Sequence, residues 1–93
     1  MKIACCLLNL YLPNSHSLKD KRQVIKSIKN TLGNHCNNSI AKLEHQNLWQ
    51  RATHGITLIS DNGQTSNQIL TRFVRSVEED FRVELLNTHI EFH

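Results

Sequence analysis

Two short stretches hold most of the side chains suited to chemistry. The first, SHSLKDKRQVIKSIK from Ser15 to Lys29, carries five Lys/Arg and one Asp in fifteen residues. At about 100° per residue, Lys19, Arg22, Lys26 and Lys29 fall on one stripe of a helix. No acidic residue lies in that stripe to form the usual pairs between residues four apart. Such a surface suits a polyanion: the stripe supplies cations, while helix-start N–H groups and the hydroxyls of Ser15 and Ser17 offer a phosphate seat. Lys21 is the exception, because it projects into the apolar side. It must either snorkel past the sheet edge or bond a polar site in the 13–17 loop. The competing reading of the whole run is a lysine-rich wet face, which charge runs commonly are.

The second stretch, HQNLWQRA from His45 to Ala52, brings His45, Gln46, Trp49, Gln50 and Arg51 together. A Trp beside Gln and Arg can stack a base or line a small pocket, or can simply seal the end of a core. Elsewhere the chemistry is thin. The six His contain no HExxH spacing, so no metal or other cofactor is expected. Cys5 and Cys6 are adjacent on a strand, point to opposite faces, and read as reduced apolar fillers. His54 and His89 read as structural strand residues. No nucleophile–base motif, P-loop or GxGxxG is present, which leaves catalysis unsupported.

The elements that must position these residues follow from periodicity. Lys2 to Leu12 reads as a strand apolar on both faces, with Ala4, Cys6, Leu8, Leu10 and Leu12 on one and Ile3, Cys5, Leu7 and Tyr11 on the other. Pro13-Asn14 ends it, Ser17 caps the basic helix with Asp20 in its first turn, and Gly33-Asn34 is the expected stop. Ser39 to Glu44 is a shorter edge strand, joined by a hairpin connection to the strand Arg51 to Ser60. Ile69, Leu70, Phe73, Val74, Val77 and Phe81 recur at helical spacing, and a last strand covers about Val83 to Ile90. The expected fold is α+β: a ferredoxin-like βαββαβ sandwich with a four-stranded antiparallel sheet and two helices on one face. Ile3, Cys5 and Leu7 would then lie on the open sheet face, an apolar patch suited to homodimerisation.

Composition bounds the rest. Residues 1–93 are expected to make one domain, since the chain is too short to bury two cores. The formal net charge of +3 is unevenly spread: residues 1–33 hold six Lys/Arg against Asp20 alone, whereas the remainder holds five against seven Asp/Glu. The run IACCLLNLYLP is too short to span a bilayer and lacks a signal peptide's order, so a cytoplasmic protein without a membrane partner is expected. The order βαββαβ also occurs in RNA-recognition motifs, but the strands IACCLLNLYL and RATHGITLIS lack their stacking aromatics. The loop LPNSHS has neither the Arg nor the Gly of an acylphosphatase loop.

LYLPNSHSLKDKRQVIKSI followed by EHQNLWQRATHGITLIS resembles the bacterial YlxP-like family of small proteins of unknown function, over almost the whole chain. The shared signatures place Ser17, Leu18, Lys19, Lys21 and Arg22 at the helix start, and His45, Gln46, Leu48, Trp49, Gln50, Arg51 and Ala52 at the hairpin. Leu18, Leu48 and Ala52 look structural. The resemblance implies a ferredoxin-like fold and a cytoplasmic location. It also implies genes lying among those for translation initiation and ribosome maturation, hence a ribosomal or other structured RNA as partner, without DNA sequence readout. It brings no established activity or catalytic residue. The double Cys, and His54 in place of an aliphatic residue, are local departures from the family pattern.

Overall fold

The computed structural model describes residues 2–32, 39–44 and 48–93, with the strand at 39–44 described by its backbone alone. Among these residues the elements run β1 (Lys2–Tyr11), α1 (Leu18–Leu32), β2 (Ser39–Glu44), β3 (Arg51–Ser60), α2 (Gly63–Glu79) and β4 (Glu84–Phe92). The strands line up in the order β2-β3-β1-β4, and every neighbouring pair is antiparallel. The central strand β1 alternates as its sequence requires: Ala4, Cys6, Leu8 and Leu10 are buried, while Ile3, Cys5, Leu7 and Asn9 are half-buried on the opposite face.

The core forms between that buried face and the two helices. Ala52, Ile56 and Leu58 of β3 extend it sideways, Ile25, Ile28 and Leu32 close it from α1, and Leu70, Phe73 and Val77 close it from α2. These are the helix positions three and four apart that fall on one side. Asn62 starts α2 as an N-cap, its Oδ1 accepting the Gln64 N–H at 2.9 Å.

Two expectations need correction. A ferredoxin-like four-stranded antiparallel sheet with two helices on one face was expected; the long strands of the sheet are three, β3-β1-β4, of ten, ten and nine residues. β2 joins only at the outer edge of β3, as a six-residue strand whose register slips between Lys42 and Glu44. A bulge leaves a residue without a partner and bends the strand, so this short polar segment adds an irregular edge and not a fourth long strand. Phe81 was expected on the buried side of α2, but the helix stops at Glu79 and Phe81 is 90% exposed. Asp80 takes an extended conformation and its N–H returns to the Val77 carbonyl at 3.1 Å. Once the helical period ends, the next apolar residue no longer inherits the face.

Gly33-Asn34 and the hairpin residues His45 and Gln46 lie outside the described residues. No helix among those described is long and apolar enough to cross a membrane.

Candidate functional site

The start of α1 is a closed hydrogen-bonded unit. Ser17 Oγ accepts the Asp20 N–H at 3.0 Å, and the Ser17 carbonyl accepts the Lys21 N–H at 3.2 Å, the first bond of the helix. Asp20 Oδ2 reaches back to the His16 N–H at 3.0 Å, so the pair works as a capping box displaced by one residue. Ser15 is buried and donates its hydroxyl to the Ser17 carbonyl at 3.2 Å. Ser15 therefore gives its proton within the loop, Ser17 Oγ serves as the cap acceptor, and a carboxylate already occupies the positive end of the helix.

The stripe is arranged differently. Lys19, Arg22, Lys26 and Lys29 are all exposed. None of the four takes part in an ion pair among the described residues. With a helical rise of about 1.5 Å per residue, the row extends about 15 Å. Held cations without carboxylate partners can neutralise a row of phosphates; they offer no route to bond making or breaking.

Lys21 follows neither course expected of it. It is only 7% exposed, and its Nζ donates to the Leu48 carbonyl at 2.8 Å. Gln50 Nε2 is what holds the 13–17 loop, through the Pro13 carbonyl at 3.2 Å and the Ser15 carbonyl at 3.4 Å. The Leu12 N–H adds a bond to the Gln50 carbonyl at 2.8 Å. The helix start and the segment entering β3 thus meet in space, tied by Lys21 and Gln50.

Around that tie the remaining hairpin residues separate. Ala52 is buried in the core, but Leu48 and Trp49 are 50% and 53% exposed, so neither seals it. Arg51 lies opposite Tyr11 on the open face of the sheet, and its Nε is buried with no hydrogen-bond partner among the described residues. Leu48, Trp49, Gln50 and Arg51 line an open cleft of about 350 Å³.

The other candidates lie apart. His54 is buried opposite Leu8 on the core face, whereas His89 lies opposite Leu7 on the open face, so the two cannot share a site. Cys6 is buried, and burial pushes its thiol pKa up against a smaller lowering by the Thr88 hydroxyl at 3.6 Å. Among the described residues no group of three or more His, Cys, Asp or Glu is placed to hold a metal ion.

Two features escaped the sequence reading. Thr53 Oγ1 donates to Asn9 Oδ1, and Asn9 Nδ2 donates to Asn87 Oδ1, both at 2.7 Å, in a polar ladder across the open faces of β3, β1 and β4. The signal was Asn9, a lone amide in an apolar strand. His89 and His93 are four apart, a spacing that aligns metal ligands on a helix. His89 on β4 and His93 just past its end stand about 13 Å apart along the extended chain and both contact Glu91, at 2.9 and 3.4 Å. The hydrogen bond from His89 holds the Glu91 carboxyl below its usual pKa.

Residues 3–90 match the family described as "Protein of unknown function (DUF503)". The chain belongs to that family. This DUF503 chain is 32% identical over 76 residues to "Uncharacterized protein YlxP" of Bacillus subtilis (strain 168), an alignment covering 82% of the chain and 83% of that protein. Its fold is similar to that of a solved structure, "De novo designed protein Foldit4", with a TM-score of 0.61 over 100% of this chain and 97% of the other. The identity there is 12%, so that likeness concerns the fold alone.

Proposed function

We propose that this protein is a non-enzymatic accessory factor that docks on structured RNA, ribosomal RNA foremost, through phosphate contacts from Lys19, Arg22, Lys26 and Lys29. The observation that carries this reading is the exposed row of four cations on α1, none of which is in an ion pair among the described residues. Four like charges in a row repel one another, and a face built only for solvation mixes signs. The first 33 residues carry six Lys/Arg against Asp20 alone, and four of the six are in this row. Contacts of this kind position a protein on a nucleic acid without reading its sequence. Lys21 and Ser17 act behind the row: one anchors the helix to the segment before β3, the other caps it.

The test is a triple charge reversal, Lys19→Glu, Arg22→Glu and Lys26→Glu. All three side chains are exposed, so each substitution is expected to change stability by no more than about 0.5 kcal/mol. Co-sedimentation with ribosomal particles should be lost. Unchanged association would refute the reading.

A second reading rests on the open sheet face, where Ile3, Cys5 and Leu7 stay half-buried beside Ile59 and no helix among the described residues packs. There a second copy of the chain is the expected partner. The two readings separate under nuclease and high salt: RNA-mediated association disappears, whereas a face-to-face dimer persists in sedimentation.

A further inference from the structure

The cleft beside the helix start is not explained by phosphate contacts. Trp49 is the single tryptophan of the chain, and it is held out toward solvent by a backbone that is tied down. Lys21 grips the carbonyl of Leu48, and Gln50 is bonded through both its carbonyl and its side-chain amide. Burial of an indole is among the largest hydrophobic gains available to a side chain. A pinned segment that forgoes it presents a flat apolar face for something else. Next to it, Arg51 Nε is a buried donor without an acceptor among the described residues, a condition that leaves a desolvated group waiting for a partner.

A ligand that satisfies both must be planar and carry hydrogen-bond acceptors on its edge. We infer that the cleft of Leu48, Trp49, Gln50 and Arg51 takes an unpaired RNA base, stacked on Trp49 with its acceptor edge toward Arg51. The choice of ligand rests on the RNA reading above. It narrows that reading to RNA with loops or bulges, because bases in a duplex are already stacked and their faces are closed.

The experiment uses the intact protein and three RNA probes of matched length: a hairpin with an unpaired loop, the same hairpin with abasic loop positions, and a continuous duplex. Trp49 fluorescence reports stacking without a label, since no other tryptophan contributes. The hairpin should quench it; the abasic hairpin and the duplex should bind without quenching. Trp49→Ala should weaken hairpin binding about tenfold and leave duplex binding unchanged, with Trp49→Phe retaining most of the affinity. Arg51→Gln should weaken the hairpin more than the duplex. Equal binding of all three probes with unmoved fluorescence overturns the cleft as a base site and leaves the stripe reading standing. Equal hairpin affinity for Trp49→Ala and the parent protein overturns it as well. If no probe binds, both readings fall.

Discussion

A lysine on the buried side of a helix must carry its charge back to water or find acceptors, because an unpaired ammonium in an apolar setting is too costly to keep. Lys21 lays its stem among the apolar residues of α1 and ends on the Leu48 carbonyl. Its position among Leu18, Ile25 and Ile28 was legible from helical spacing. Its acceptor was not, because Leu48 lies 27 residues away and a backbone carbonyl has no identity in a sequence. Lys21→Met keeps the stem and removes the donor. It should cost about 2 kcal/mol, the range of a hydrogen bond from a charged group, and should speed amide hydrogen exchange at residues 48–50. Denaturant unfolding with an undiminished midpoint would rule out the anchoring role.

Among the elements, α2 shows where pattern stops being informative. Its start could be read from DNGQTSN, a run of turn and cap residues, and Asn62 performs the cap. Its end could not, since Phe81 continues the apolar period by sequence alone. What ends the helix is local: Asp80 folds back on Val77, Arg82 binds the Asp80 carboxylate through Nε at 2.9 Å and through Nη2, and the Val83 N–H returns to the Asp80 carbonyl at 3.3 Å. The hydrogen bond from Arg82 holds the Asp80 carboxyl below its ordinary value of 3.8, with burial opposing. A depressed carboxylate stabilises the fold fully above that ordinary value and loses its contribution as pH falls below it, through the lower folded value. The Arg82 side chain is 36% exposed, so solvent screening reduces the pair to about 0.5 kcal/mol. Asp80→Asn should therefore lower stability slightly at pH 6 and remove that part of the acid loss below pH 4. Parallel urea unfolding at pH 6 and pH 3 checks both; an identical acid loss in the variant would show that Asp80 takes no part.

Over the whole molecule, the compact positive feature is the row of about 15 Å that the exposed cations of α1 form. If its four cations each meet a phosphate, the logarithm of the RNA association constant should fall against the logarithm of salt with a slope of about −3. A slope near zero would mean that the stripe is only a solvated face. Removing one exposed member, as in Lys26→Ala, should reduce the magnitude of the slope by about one.

The alternation of β1, the cap of α1, the order of the elements and the stripe of cations were all determined by the sequence itself. Each depends on neighbours a few residues apart, where period and turn chemistry act. Tertiary structure decided what β2 contributes, where Phe81 points, and that Lys21 and Gln50 stitch the helix start to the segment entering β3. It also left Trp49 outside the core with Arg51 beside it. These depend on which distant backbone atoms come within hydrogen-bonding reach. That follows only when the sheet has closed and the packed elements leave each side chain a single place to go.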